Sequence, residues 1–293
     1  MKVISYSLFG YERERAENCF DFESYLIGLM LSLRVNKLLF PNWRNVLQTD
    51  INTYNNFEKL FKALELNGTL ILQINDNGAK LCEAMLWRLK PIFWDGVTHV
   101  LCRDLDSLHT YREAQAVQHW IKNDTAIHTI TDSSSHGIPM LGGMIGFIPD
   151  YFKSRMKLNT FEELMAMNRV DLSIKGSDQT FINDWIYPVF ARKGTESITQ
   201  HYFMGHGKTW LEHYYTCRCW DDGGKQGHED DCSLNIKIDI DEELKETNNI
   251  SEHMGAAGWN QTQTMKLIYK HKNKFKELIE IEKLYPNIFT WNR

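Results

Sequence analysis

The chain has 293 residues, 43% hydrophobic and 24% charged, with 33 Lys and Arg against 38 Asp and Glu, so its formal net charge is −5. That composition supports a soluble globular fold with a substantial core, and a length near twice ~150 residues allows two domains or one larger α/β domain. The mild acidity without a Lys/Arg block excludes a non-specific electrostatic nucleic-acid binder, and no stretch reaches the ~18 uninterrupted apolar residues of a membrane span.

The N-terminal segment turns polar after Gly10 and lacks a long apolar run, so no signal peptide is expected. Six scattered cysteines fit reduced thiols in the cytoplasm better than a disulfide framework.

Lys2 to Phe9 mixes β-branched and aromatic with polar residues and ends at Gly10, the pattern of a strand opening into a loop beyond which a ligand should bind. Phe22 to Val35 reads as a helix, and Leu38 to Phe40, before Pro41, as a short strand. From Asn56 to Leu66 the residues Phe57, Leu60, Phe61 and Leu64 recur at helical spacing and stop at Gly68. Thr69 to Ile74 is a strand, Ala79 to Leu89 a helix, Val97 to Cys102 a strand, and Tyr111 to Lys122 a helix capped by Thr110 with Glu113 three residues on. Such βα alternation predicts a mostly parallel sheet covered on both faces.

Past residue 140 the regularity fades. Leu141 to Ile148 is apolar but carries three glycines, so backbone should approach backbone or ligand closely there. Ser177 to Phe190 reads as a helix with Phe181, Ile182, Trp185 and Ile186 on one face. Residues 200 to 252 read as an irregular lid containing one strand, Leu234 to Ile240, and the last helix is Asn273 to Leu284. The whole is read as one domain, 1–293, in four parts: 1–125, 126–199, 200–260 and a C-terminal helix, 261–293.

Chemistry concentrates in Cys102-Arg103-Asp104-Leu105-Asp106-Ser107, where a strand ends and a helix is about to begin. Ligands of open α/β sheets sit outside the carboxyl ends of strands. Alternate residues of an extended chain point the same way, so Asp104 and Asp106 can converge on one hard cation, which would neutralise a diphosphate leaving group. The alternative is that Asp106 or Ser107 caps the helix and Arg103 pairs a surface carboxylate. Near the C-terminus, His253 and Gly255 in Ser-Glu-His-Met-Gly-Ala-Ala-Gly-Trp offer a nitrogen ligand and close backbone approach to phosphate, or simply a loop histidine. Asp178 and Gln179 stand at a predicted helix start, where Asp is also a common N-terminal residue.

RDLDS after a strand, LGGMIGF about 35 residues on, then DQTFIN and a late HMGAAGW together resemble a GT-A glycosyltransferase. The order resembles the glycogenin-like family 8, whose pattern is DxD, a glycine-bearing strand, a DQ helix and HxGxxKPW, and bacterial and viral glycosyltransferase-like proteins with RDLDS and LGGMWG. The resemblance spans roughly residues 1 to 260 and implies a nucleotide-binding half (1–125), a donor and acceptor half (126–199) and a lid with a metal-binding His segment (200–260). It implies a Rossmann-like α/β fold, a nucleotide-sugar donor with UDP as its nucleotide, and a glycan or other hydroxyl acceptor.

By the same resemblance Asp104, Asp106 and His253 would hold Mn²⁺ or Mg²⁺ together with the nucleotide diphosphate. Tyr6, Leu8 and Gly10 would lie by the base or ribose, Arg88 and Arg103 would serve the phosphates, and Gly142 and Gly143 would flank the donor sugar. Asp178 with Gln179 would contact its hydroxyls or stabilise charge at the anomeric carbon, and Asp132 and His136 would reach donor or acceptor. The final motif lacks the family's Lys-Pro, so another cation must bind the diphosphate or the kinship is more distant. A retaining outcome is favoured; if the reaction inverts, Asp178 is the candidate base.

Cys217, Cys219, His228 and Cys232 form a separate possible Zn²⁺ set of non-standard spacing, or free thiols. Competing readings are a non-catalytic carbohydrate-binding protein on the same scaffold, using Trp210, Tyr214, Tyr215 and Trp220 as stacking platforms, and a metal-dependent phosphodiesterase or nucleotidyltransferase.

Overall fold

The computed structural model describes residues 1–11, 22–76, 78–105, 107, 109, 111–131, 138–191 and 197–202, together with 279, 283 and 284. Among them, seven strands form one sheet: β1 (Lys2–Leu8), β2 (Trp43–Asp50), β3 (Leu70–Asn75), β4 (His99–Arg103), β5 (Ile127–Thr131), β6 (Met144–Phe147) and β7 (Ile198–Tyr202). Their order is β3-β2-β1-β4-β6-β5-β7. β6 runs antiparallel to β4 and β5, while every other pairing is parallel. This is the Rossmann-like, mostly parallel sheet that the βα alternation predicts.

The helices are α1 (Phe22–Leu39), α2 (Ile51–Leu66), α3 (Leu81–Leu86), α4 (Tyr111–Asn123), α5 (Pro149–Met156), α6 (Phe161–Ala166), α7 (Ser177–Phe181) and α8 (Tyr187–Phe190). α3 continues as a 3-10 segment, Trp87–Phe93, and a π turn, Ile182–Ile186, joins α7 to α8.

Successive side chains of a strand point to opposite faces, and here different helices bury each face. Ile4, Tyr6 and Leu8 of β1 and Leu47 of β2 pack with α1, α2 and α4. Val3, Val46, Val100 and Cys102 pack with α3, the 3-10 segment and the helices between 149 and 190. Burial on both faces is what a parallel strand requires, and it explains why β1 is nearly continuously apolar or buried. Gly146 is needed in β6 because a β-carbon there would stand 2.9 Å from both Leu101 and Trp120.

Several expectations need correction. Leu38 to Phe40 is not a strand: α1 runs through Leu39, and the Phe40 amide still bonds the Asn36 carbonyl at 2.8 Å. Packing of Leu33 and Val35 on the sheet carries the helix past a short run of strand-like composition. The helix expected over 177–190 is interrupted by the π turn, just where Pro188 lacks the amide a regular helix would use. The sequence reading does not include β2, β5, β7, α5 or α6. β5 is wholly buried yet reads Ile-His-Thr-Ile-Thr, which hides it from a hydrophobicity pattern. The expected lid does not start at residue 200, since 200–202 complete β7; its remainder and the strand Leu234 to Ile240 lie outside the described residues, and of the last helix 279, 283 and 284 have helical backbone.

Candidate functional site

The chain steps outward from β1 to β2 to β3 and then returns to β4 on the other side of β1. Connections after β1 and β4 therefore leave in opposite directions, which opens a crevice at their carboxyl ends. A cleft of about 300 Å³ lies there, lined by Ser7, Leu8 and Phe9 after β1 and by Asp104 and Leu105 after β4. Arg88 enters from the 3-10 segment, and Lys175, Gly176, Asp178 and Gln179 close it from the start of α7. A smaller hollow shares Phe9 and is lined by Gly10, Asp50, Asn52, Asp76 and Trp87. Asp50 shapes that hollow: its carboxylate accepts from the Gly10 amide at 2.5 Å and caps α2 by accepting from the Thr53 amide at 2.7 Å.

Arg88 is the hub of the cleft. Only 3% exposed, it pairs with Asp104 and stands 3.6 Å from Asp178, which is 1% exposed. Burial alone disfavours the guanidinium charge, but the two carboxylates more than restore it, so its pKa is raised. Asp104 is 44% exposed and so remains open to a ligand from the cleft side. The Asp178 Oδ2 also accepts from Gln179 Nε2 at 3.0 Å, whereas its buried Oδ1 has no hydrogen-bond partner among the described residues. A buried carboxylate oxygen left this way costs on the order of 1–3 kcal/mol until something binds it.

The glycine run is clamped to α7. The Gly142 amide donates to Gln179 Oε1 at 2.9 Å. Asn183 accepts from the Met140 amide at 3.0 Å and donates to the Met140 and Gln179 carbonyls at 2.8 Å each. A β-carbon on Gly142 would come within 2.8 Å of Gln179 Nε2 and 3.1 Å of Arg88, and one on Gly143 would overlap the Asp104 carboxylate. Asp104, Arg88, Asp178, Gln179, Gly142 and Gly143, spread over 92 residues of sequence, thus meet at one place.

Two expected members stand apart. Arg103 is 1% exposed and faces away from Asp104, pairing with buried Glu113 at 3.1 Å and donating to the Gly143 carbonyl at 2.9 Å and to Ser107 Oγ at 3.2 Å. It touches neither a surface carboxylate nor the cleft; alternation along β4 places it beneath the site rather than in it. Tyr6 is fully buried with its hydroxyl accepting from Asn36 Nδ2 at 2.7 Å, and burial raises its pKa. Leu8 lines the main cleft and Gly10 the neighbouring hollow. Asp106, Asp132, His136, Cys217, Cys219, His228, Cys232, His253 and Gly255 lie outside the described residues. Among the described residues no cluster of three or more His, Cys, Asp or Glu side chains forms a metal site, and no helix is long and apolar enough to cross a membrane.

Sequence reasoning missed Asn183 and Lys175. Asn183 follows the DQ pair at i+4 and i+5, a spacing that could have signalled a side chain on the same helical face; Lys175 gave no signal beyond its place before the Gly-Ser-Asp turn.

The fold defines a Rossmann-like α/β protein with a cleft at the topological switch point of its sheet. No protein-family model matches this chain, and no curated protein matches it. Among solved structures, a 4-diphosphocytidyl-2C-methyl-D-erythritol synthase from Anaerococcus prevotii DSM 20548 is 9% identical with a TM-score of 0.41, covering 74% of this chain and 93% of its own. A protein from Desulfovibrio desulfuricans G20 designated a nucleotide-diphospho-sugar transferase is 12% identical with a TM-score of 0.40, covering 69% and 80%. Both likenesses are slight.

Proposed function

We propose that this chain is a metal-dependent glycosyltransferase that moves a sugar from a nucleotide-sugar donor, with UDP as its nucleotide, to a hydroxyl of a glycan or other acceptor. The observation that carries this reading is the convergence of Asp104, Arg88, Asp178 and Gln179 on a glycine pair at the β1/β4 switch point. Asp104 suits a hard cation, being a half-exposed carboxylate at the cleft, and Asp106 and His253 are its proposed co-ligands. Bound there, Mn²⁺ or Mg²⁺ would supply the charge that makes a diphosphate a good leaving group.

The remaining work falls to this chain's own groups. Gly10 and Asp50 form the hollow for base and ribose, beside Leu8 in the main cleft. Gly142 and Gly143 leave room for the sugar against the backbone. Arg88 fixes Asp104 and Asp178 in place, and Gln179 holds both Asp178 and the Gly142 amide. Asp178, preorganised in a buried position in the cleft wall, stabilises positive charge growing at the anomeric carbon. In this reading the acceptor proton passes to a diphosphate oxygen on the leaving-group face, which is a retaining outcome.

The test is thermal unfolding with Mn²⁺ and UDP, GDP or CDP. A ligand at about 100 times its Kd stabilises the folded state by ~2.7 kcal/mol. One nucleotide should raise the melting temperature, with the shift lost on adding EDTA or in Asp106→Ala. No shift with any nucleotide, together with glycan binding indifferent to EDTA, would replace this reading with the carbohydrate-binding one.

A further inference from the structure

We infer that Arg103 is the positioning residue of the cation site: from beneath the cleft it fixes the glycine on which Asp104 rests and the loop that follows Asp104, with Glu113 as its counter-ion. This rests on the nucleotide-sugar reading above and deepens it, because that reading gives the cation to Asp104 and Asp106 and leaves open what holds their loop in place.

A buried ion pair needs a reason beyond stability. Arg103 and Glu113 lie 3.1 Å apart, both almost wholly shielded from solvent. Desolvating two charges cancels most of what their attraction returns, and well-packed apolar residues of similar volume are often as stable. The arginine's other contacts supply the reason. Its Nη1 donates to the Gly143 carbonyl at 2.9 Å as well as facing Glu113, and its Nη2 donates to Ser107 Oγ at 3.2 Å. A planar guanidinium suits this task, since its rigid fork holds several acceptors in fixed directions at once.

Both of those contacts end at the proposed cation seat. The Asp104 carboxylate occupies the space that a β-carbon on Gly143 would fill, so fixing the Gly143 carbonyl fixes the floor under that carboxylate. Ser107 is the residue after Asp106, the proposed co-ligand, and its hydroxyl ties the loop to the same guanidinium. Between β4 and α4 the chain buries Leu105, Ser107 and His109, whereas Asp104 is half-exposed to the cleft. His109 Nε2 stands 3.6 Å from Glu113 Oε1, and its ring meets Phe40 edge-on at 4.8 Å between centroids. The far end of the loop therefore rests against the glutamate that pairs with Arg103. That pairing has an electrostatic use as well: an arginine with no counter-ion here would repel a divalent cation, and Glu113 cancels its charge.

The experiment is calorimetric titration of UDP, GDP and CDP at a series of Mn²⁺ concentrations into wild type, Arg103→Met/Glu113→Leu, Ser107→Ala and, as a surface control, Lys62→Ala, with urea unfolding of each protein alongside. The double variant removes both buried charges together, so it should fold with most of the wild-type stability. For the nucleotide that binds, it should nevertheless need about tenfold more Mn²⁺ to reach half of its full affinity, within the range for removing a residue that orients metal ligands from behind. Raising Mn²⁺ should restore that affinity, which would not follow from damage to the nucleotide pocket itself. Ser107→Ala cuts one tether and leaves the ion pair intact, so it should shift the Mn²⁺ requirement the same way by about threefold, and it decides the matter if the double variant does not fold. Lys62→Ala should match wild type. An unchanged Mn²⁺ requirement in a folded double variant, or in Ser107→Ala where the double variant is unfolded, overturns the inference and leaves the nucleotide-sugar reading standing. Absence of binding by wild type to all three nucleotides at every Mn²⁺ concentration overturns that reading, and the inference with it.

Discussion

The Asp104 carboxylate rests directly on the Cα of Gly143, in the space that a β-carbon at residue 143 would fill. Gly143 has little freedom to yield, since its carbonyl is held by buried Arg103 at 2.9 Å and β6 begins one residue on. In Gly143→Ala the carboxylate must swing away from its present seat. The expected stability cost is about 1–3 kcal/mol, typical of forcing one extra methyl into a packed site. The expected functional cost is in binding: affinity for nucleotide with cation should fall by at least about tenfold, as for loss of one charged contact, which at a ligand concentration near 100 times the wild-type Kd roughly halves the stabilisation. Urea unfolding separates the first effect from the second, which is read as the melting shift with Mn²⁺ and nucleotide. Full retention of that shift would show that Asp104 is not where the cation binds.

Asp178 tests the chemical step. Its Oδ2 is shared by Arg88 and Gln179, so Asp178→Asn keeps the shape while removing a buried negative charge that faces the proposed anomeric carbon. Removing a preorganised electrostatic group costs about 10²–10³ in rate when the charge it stabilises develops only in the transition state. Asp178→Asn should therefore lower kcat by about that factor with KM for the donor little changed. Steady-state rates of donor hydrolysis or transfer decide it. A variant that raises KM and spares kcat would assign Asp178 to ground-state binding of the sugar instead.

Arg103 makes a prediction of the opposite kind, about stability. It and Glu113 are 1% and 2% exposed, an ion pair in the floor under the site. Arg103→Met leaves a buried carboxylate without that partner, which typically costs about 3–5 kcal/mol. The double variant with Glu113→Leu removes both charges and should recover much of the loss. Chemical denaturation of the two variants checks this; equal stability of single and double variants would mean the pair contributes little.

That same arginine shows where the sequence stops being informative. RDLDS marks the end of β4 correctly, because a strand of alternating apolar residues followed by carboxylates is a local pattern. Which side of the sheet each of its residues faces depends on the strand's register against β1 and β6, and that put Arg103 beneath the site and Asp104 in it. The glycine pair was legible as a close approach, though its partner was not: 39 positions separate Asp104 from Gly143, and only the fold brings them together. The βα units from Asn56 to residue 125 could be read because each is a local hydrophobic period, whereas β2 was missed: the short apolar run Leu38–Phe40 drew the strand into the end of α1, and Trp43–Asp50 carries too many polar residues to show one. β5 could not, since its polar residues are buried by contacts with α4 and β6 rather than by any pattern of their own. His128 of that strand is a case in point, packed flat against Trp120 at 5.3 Å between ring centroids.

His128 also sets a pH dependence. It is fully buried, and desolvation, aided by repulsion from His119 and Arg103, pushes its pKa down to about 3. His109 is depressed in the same direction by burial. In the unfolded chain a histidine titrates near 6.5. Above that pH neither state carries the proton, and the native state keeps its full stability. As pH falls below 6.5 the unfolded chain takes up protons that folded His128 refuses, so stability is lost progressively through the window from about 6.5 to about 3, at up to ~1.4 kcal/mol per pH unit for this one group. His128→Phe preserves a flat ring against Trp120 and removes the titrating nitrogens. Urea unfolding at a series of pH values between 6.5 and 4 should then show a slope shallower by about one proton than that of wild type. An unchanged slope would mean that folded His128 takes up its proton as readily as the unfolded chain does, which its burial against Trp120 argues against.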